Sequence, residues 1–361
     1  MAVVTETPER ITTTLTDTNT TVSVALSDTS AGAYDDAFIL FSYNSSDSDD
    51  QLGNHLVRSF FTGSPNEINF SRDGSTGDVV IEAYVYKLDN SQISVTQGTA
   101  TMANNETIDD ITISAVTLAK TWVPFSHEVV GLNPEVNFVS GRLTSTTNLR
   151  FERVGTSGNR PAVMSYFILE DTGSNWDTEA ITMSLGATDS VVDDTITSVT
   201  MASTFLFGSY HSTATVSTVD PENNPGLRLF DSTTARAERG NGTSAPTITV
   251  HGWVVEMSDN SEVQRGTITL NQATTNTATI DAANSDVNTH RGTMIAGGDC
   301  TGGTDTQMIF ARRSLDSTTS TRMTVTVNNF DIFIFPYEIL EFEIVAAEAD
   351  EGFPVALVGS L

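Results

Sequence analysis

Apolar and polar residues alternate with a period of two along most of the chain. Ile111-Thr-Ile-Ser-Ala-Val-Thr-Leu, Thr247-Ile-Thr-Val-His-Gly-Trp-Val-Val and Met323-Thr-Val-Thr-Val all show the pattern. Such alternation, rich in Val, Ile, Thr and aromatics, puts one face of an extended segment inside and the other outside, and so predicts half-buried β-strands. The segments are separated by Asn, Asp, Gly and Ser clusters such as Arg239-Gly-Asn-Gly-Thr-Ser and Asp171-Thr-Gly-Ser, which are turn chemistry. A helical stripe of useful length is missing; Ala346-Ala-Glu-Ala-Asp-Glu would make one short turn. The predicted fold class is all-β.

The same landmarks recur along the chain. Arg58, Arg142, Arg228 and Arg313 follow one another at a nearly constant interval, and the last three precede polar turns: Arg142-Leu-Thr-Ser-Thr-Thr, Arg228-Leu-Phe-Asp-Ser-Thr-Thr and Arg313-Ser-Leu-Asp-Ser-Thr-Thr. A second arginine follows at Arg72, Arg153 and Arg239, then an apolar strand centred on Tyr84, Tyr166, Trp253 and Phe333. Phe38 and Trp122 lie one interval apart, and Gly98-Thr-Ala-Thr-Met and Gly266-Thr-Ile-Thr-Leu lie two. One period shared by independent landmarks predicts tandem repeats: 10–93, 94–177, 178–262 and 263–345, with an N-terminal arm 1–9 and a C-terminal arm 346–361. Each would hold about six strands, a size suited to a β-sandwich or barrel. Units closing alone and pairs sharing a sheet both fit the pattern. The phase is a choice, because Trp253-Val-Val-Glu-Met, Ser-Asp-Asn-Ser and Val263-Gln-Arg-Gly-Thr-Ile-Thr-Leu together read as a hairpin across the third boundary.

Charge narrows the partners. The 361 residues hold 46 acidic and 17 basic side chains, a net of −29, and Lys87 and Lys120 are the only lysines. Phosphate binding needs clustered cations, so this balance argues against nucleic acid and against an anionic membrane surface. An acidic, lysine-poor surface stays hydrated where salt screens its self-repulsion, which is compatible with a saline source. Cys300 is the one cysteine, so no intrachain disulfide framework is expected. No apolar run approaches the length of a membrane-spanning helix, and the N-terminal residues lack the basic and apolar regions of a secretory signal.

Candidate chemistry is sparse. His55, His127, His211, His251 and His290 are all well separated in sequence; His127 and His211, one interval apart, read as equivalent loop positions rather than two ligands of one metal. Cys300, in Gly297-Gly-Asp-Cys-Thr-Gly-Gly, reads as a loop residue with no flanking base to activate it. Asp47, Asp49 and Asp50 offer hard oxygen ligands suited to Ca²⁺, without an EF-hand's glycine or distant glutamate. The pairs Asp109-Asp110 and Asp193-Asp194 are again one interval apart, and acidic clusters are also the ordinary solvated face of so acidic a chain. No catalytic motif and no cofactor site are expected. Among the tryptophans, Trp122 and Trp253 fall on predicted strands and read as core, whereas Trp176 in Gly173-Ser-Asn-Trp-Asp reads as an exposed loop platform for a sugar. The recurring arginines Arg58, Arg142, Arg228 and Arg313 have two readings: a structural clamp within each unit, or an ion pair between subunits.

The order of these landmarks, from Val263-Gln-Arg-Gly-Thr-Ile-Thr-Leu through Thr121-Trp-Val, Arg142-Leu-Thr-Ser-Thr-Thr and Leu149-Arg-Phe-Glu-Arg to Trp253-Val-Val-Glu-Met, resembles the repeats in structural proteins of tailed viruses of bacteria and archaea. The resemblance covers about residues 10 to 335. The fourth copy departs most, lacking the second arginine and ending in the more apolar Phe330-Asp-Ile-Phe-Ile-Phe-Pro. The resemblance implies a non-enzymatic virion component: a head decoration, turret, fibre or tail-associated protein, drawn out as a rod or plate. Its partners would be copies of itself, other virion proteins and a host receptor. The segment Gly352-Phe-Pro-Val-Ala-Leu-Val-Gly-Ser-Leu is apolar on a polar protein, so Phe353, Val355, Leu357 and Val358 are expected at an assembly interface, or else as an extra edge strand. The alternatives are an adhesin-like surface protein binding a glycan or receptor, and a glycan-cleaving enzyme using loop carboxylates.

Overall fold

The computed structural model describes residues 4–6, 8–30, 32–46, 55–63, 66–130, 138–154, 160–213, 225–240, 246–259, 261–271, 273, 275–279, 291–294, 299–301, 312–317, 320–324 and 332–342. At 63, 291–294, 299–301, 313–317, 320–324 and 332–335 the description covers the backbone alone. The all-β expectation holds: the elements are strands, joined in places by short 3₁₀ turns such as Leu118–Lys120 and Met201–Ser203.

The strands build small antiparallel sheets, eight among the described residues. β1 (Glu9–Leu15), β6 (Val79–Lys87) and β3 (Ala37–Ser45) form one sheet; β2 (Thr21–Ala25), β5 (Asn66–Ser71) and β4 (Arg58–Gly63) form the next. β7 (Ile93–Met102), β13 (Ala162–Asp171), β10 (Phe125–Val129) and the short β9 (Thr121–Trp122) make a third, facing β8 (Ile108–Thr112), β12 (Asn148–Glu152) and β11 (Ser140–Ser145). β14 (Trp176–Leu185), β19 (Ile248–Met257) and β16 (Thr204–Ser212) pair likewise, as do β15 (Val191–Thr195), β18 (Thr234–Glu238) and β17 (Gly226–Asp231). The last two sheets join β20 (Glu262–Leu270), β26 (Ile332–Glu341), β22 (Arg291–Met294) and β23 (Asp299–Thr301), and β21 (Thr275–Thr279), β25 (Ser320–Thr324) and β24 (Arg312–Ser317).

Sheets pack face to face as sandwiches. Phe41 of β3 meets Phe70 of β5 at 5.7 Å between ring centroids, and Phe125 of β10 meets Phe151 of β12 at 5.0 Å. The long strands β6, β13 and β19 are central in their sheets and buried on both faces, which is why their sequences read as apolar runs. Gly98 in β7 stands opposite Tyr166 in β13, and a Cβ there would lie 2.2 Å from the ring's Cζ; Gly266 opposite Tyr337 repeats the arrangement. The two matching glycine-led segments therefore share a steric requirement, room for a tyrosine lying across the neighbouring strand.

Several expectations are corrected here. β19 and β20 do not form a hairpin: β19 already has β14 and β16 on its two edges, so β20 pairs with β26 instead. Cys300 lies in β23, opposite Phe333, rather than in a loop. The aromatic landmarks are not one position. Counted from the paired residues that start β6, β13, β19 and the described pairing of β26 (Val79, Ala162, Ile248 and Phe333), Tyr84 and Trp253 lie five places on, Tyr166 four, and Phe333 none. A one-residue offset turns a side chain to the other face, so Tyr166 points away from the face that Tyr84 and Trp253 share. An extended rod is also ruled out, because the late strands β22 and β24 pack on β3, and β24 also on β6. The chain closes on itself. Phe342 meets Tyr86 edge-on at 5.2 Å, and Trp122 gathers Phe38, Phe205 and Trp176 at 5.6, 5.2 and 6.5 Å.

Candidate functional site at the junctions between sandwiches

Where one sandwich meets the next, an edge strand of the first lies against a sheet of the second: β4 on β10 and β13, β11 on β16 and β19, β17 on β26, and β24 on β3 and β6. The residue that enters each junction can be read from strand pairing. Arg58 is opposite Ser71, Ser140 opposite Glu152, Gly226 opposite Glu238 and Arg312 opposite Thr324, the last pair in each ladder. The arginines picked out by even spacing thus fall on three different register positions. Arg142 and Arg228 match one another, Arg58 sits two places earlier, and the backbone of Arg313 sits one place earlier. Loop lengths vary between the sandwiches, so equal spacing in sequence does not mean equal register.

The side chains show what each does. Arg58 crosses a junction: its Nε donates to Glu128 Oε1 at 3.1 Å, an Nη to Ser165 Oγ at 3.1 Å, and its guanidinium lies 4.2 Å from the centre of the Phe60 ring. Arg312 reaches Asn44 Oδ1 at 3.1 Å across the junction that closes the chain. Arg142 and Arg228 instead pair within their own sheet, with Glu152 at 3.0 Å and Glu238 at 2.9 Å. The side chain of Arg313 lies outside the described residues, as do Asp47, Asp49 and Asp50 and the C-terminal Phe353, Val355, Leu357 and Val358.

The second arginines do recur in register, one residue beyond β5, β12 and β18. Arg72, Arg153 and Arg239 are buried, each directing its guanidinium at backbone carbonyls: Arg72 at Asn19, Thr76, Thr16 and Gly77, Arg153 at Glu106, Arg160 and Ala103, Arg239 at Asp189, Pro246 and Gly186. Each fixes two loops at once. Their planar, forked donors suit this role, and burial pulls the Arg153 pKa from 12.5 to about 10, still charged at neutral pH.

At the junction between β11–β12 and β16–β19 the cation of Arg58 has no counterpart, since the corresponding residue is Ser140. Here three metal-ligating side chains converge: Glu152, His211 and His251 each place one ligand atom within 4.8 Å of the others. Glu152 ends β12, His211 is near the end of β16 and His251 is near the start of β19, the middle strand of its sheet. His251 is 3% exposed; its Nδ1 is 3.0 Å from Thr182 Oγ1 and its Nε2 is 2.5 Å from Glu152 Oε1. His211 Nδ1 lies 2.7 Å from Ser140 Oγ. The His251 contact, with Arg142 and His211 contributing, holds the Glu152 carboxyl down from 4.5 to about 2, while burial lowers His211 from 6.5 to about 4, leaving a carboxylate beside a neutral imidazole.

Sequence reasoning missed this cluster because its members are far apart along the chain and come from three strands in two sheets. His127 and His211 are on strands, not loops, and are out of register by one: Glu128 and His211 each precede the last paired residue of their strand. Asp109 and Asp193 are likewise out of register, since the counterpart of Asp193 is Asp110; these two aspartates accept two bonds each from Arg150 and Arg236, at 2.7–2.8 Å. Trp122 and Trp253 are core as expected, but so is Trp176: it is 2% exposed and its Nε1 donates to Lys120 O at 2.9 Å, so it is no sugar platform. Strand β14 begins at Trp176 and presses that ring onto Trp122. No family model and no curated protein matches the chain.

Proposed function

We propose that this protein is a non-enzymatic structural component built from four tandem copies of one six-stranded β-sandwich, near 10–93, 94–177, 178–262 and 263–345, closed into a ring. The observation that supports this best is the recurrence of one docking contact in register. Ser59 N donates to Ser126 Oγ at 2.9 Å in the first junction, and Gly141 N to Ser209 Oγ at 3.1 Å in the second. On the neighbouring side Gln97, Thr178 and Arg265 donate to the carbonyls of Tyr34, Leu118 and Met201, which themselves follow one another at the repeat interval. A body whose polar side chains are spent on fixing its own parts to one another suits a load-bearing role more than a catalytic one.

With the resemblance to repeats of tailed-virus structural proteins, the reading becomes a virion component, a head decoration, turret, fibre or tail-associated protein, assembling as a symmetric oligomer on the particle. An acidic surface of net charge −29 would keep particles apart. The test is the solution mass of the full chain at high salt, with and without the residues after Glu351. A trimer, pentamer or hexamer that falls to monomer on truncation is expected; a monomer in both forms overturns the assembly reading.

One observation keeps an adhesin-like reading in play. A surface crevice of about 320 Å³ is lined by Tyr34, Phe61, Asp35, Asn66, Glu67 and Gln97, a stacked aromatic pair beside amides and carboxylates. A glycan array that lights up with the full chain and darkens with Phe61→Ala would favour it.

A further inference from the structure

We propose that Glu152, His211 and His251 form a divalent transition-metal site, of the kind that takes Zn²⁺, which fastens the second junction of the ring. In the first junction, Arg58 supplies a cation between Glu128 and Ser165; in the closing one, Arg312 stands at the same register position and reaches Asn44, with Glu82 at the third place. In the second, the corresponding three residues are Ser140, His211 and His251. The arginine is gone, two imidazoles have replaced the other partners, and Glu152, the cross-strand partner of Ser140, contributes a carboxylate from the middle strand β12. A metal ion there would do what Arg58 does in the first junction, tying a strand of one sandwich to two strands of the next.

The donor set fits that ion. Two imidazoles and one carboxylate are a familiar zinc combination with a fourth position left for water, whereas the harder Ca²⁺ prefers all-oxygen cages. Both imidazoles already have Nδ1 engaged by a hydroxyl, Ser140 for His211 and Thr182 for His251, which leaves Nε2 as the metal-binding nitrogen and supplies the outer partner that orients a ligating histidine. His251 Nε2 is buried and makes no hydrogen bond of acceptable geometry among the described residues, although Glu152 Oε1 is 2.5 Å away. Around a tetrahedral ion, ligand atoms sit about 3.3 Å apart, so binding would part Glu152 Oε1 from His251 Nε2 and draw together the ligand atoms that now stand up to 4.8 Å apart. Arg142 opposes the ion: its Nε is 3.0 Å from Glu152 Oε1 and must swing outward, which its 38% exposed side chain can do.

The experiment is calorimetric titration of Zn²⁺ into the metal-stripped full chain, with Co²⁺ absorption as a readout of nitrogen ligation. One Zn²⁺ per chain is expected at this site, with a tetrahedral Co²⁺ spectrum. His211→Ala should weaken binding by about tenfold or more, and Arg142→Ala should tighten it. Excess Ca²⁺ should not displace the ion, which separates this site from the acidic surface. Because His251→Ala empties a buried position and could unfold the chain, the decision rests on His211→Ala and Arg142→Ala, each checked for native circular dichroism. Absence of Zn²⁺ binding, or binding that a folded His211→Ala chain retains in full, overturns the proposal.

Discussion

At the scale of single residues, the most consequential side chains are those that substitute for backbone. Arg72, Arg153 and Arg239 sit inside the protein and satisfy carbonyls that the sheet ladders leave over, at the same place in three sandwiches. Hydrogen bonds from a charged donor contribute roughly 1.5–3 kcal/mol each, and carbonyls left without partners in the interior add to the loss. Arg153→Ala should therefore destabilise the fold by about 3 kcal/mol or more, and Arg153→Lys should recover only part of it because one ammonium cannot fork to separate loops. Urea unfolding of the two variants checks this; a loss below about 0.5 kcal/mol, the range of ordinary surface changes, would refute the clamp. The sequence displayed these arginines clearly. It did not distinguish them from the more evenly spaced set, because spacing is blind to which face of a strand a residue takes.

At the scale of elements, antiparallel register decides which charges meet. Asp110 of β8 faces Arg150 of β12, and Asp193 of β15 faces Arg236 of β18, as cross-strand pairs at matching places in two sheets. The Arg150 hydrogen bonds, helped by Asn148, draw Asp110 from 3.8 to about 2, and Arg236 lowers Asp193 in the same way. A depressed carboxylate pKa gives stability that is complete above the unfolded value, near 4, and disappears as pH falls through the folded one. Wild type and the double variant Asp110→Asn, Asp193→Asn should differ in unfolding midpoint at about pH 5.5, and converge toward about pH 2. The difference should be small, since both carboxylates are exposed to solvent. A gap that widens on acidification would contradict the pairing. Elements also explain the misplaced Trp176: Gly173-Ser-Asn looks like a loop and is one, but the strand that follows starts a residue or two earlier than the turn chemistry suggests, and its first side chain points inward.

At the scale of the whole molecule, closure is the feature with the widest consequence. The sandwiches do not form an open string in which each end is free; β24 and β22 return to β3, and Phe342 packs on Tyr86. In an open array, damage at the last unit stays local, because each unit touches only its neighbours. In a closed one it should loosen the first. Phe342→Ala, which removes a fully buried ring and costs about 3–5 kcal/mol, should raise amide exchange in β3 and β6 as well as in β26. Exchange that rises in β26 alone would return the molecule to an open string.

The all-β class was legible before any folding, because period-two alternation is a property of neighbouring residues and needs no partner to be read. So were the core positions of Trp122 and Trp253, but not the strand limits: Ile111-Thr-Ile-Ser-Ala-Val-Thr-Leu alternates like one strand, whereas β8 ends at Thr112 and Leu118 opens a 3₁₀ turn. Strand pairing, by contrast, is a relation between segments tens of residues apart, and a single-residue difference in loop length moves a side chain to the opposite face. The assignment of Arg58 and Arg312 to junctions, and of Arg142 and Arg228 to their own sheets, therefore waited on the folded arrangement. The same arrangement turned Trp176 inward and brought Glu152, His211 and His251 from three strands to one point. Closure likewise depended on contact between distant parts of the chain, where burial of aromatic rings against remote strands, rather than any local preference, sets the arrangement.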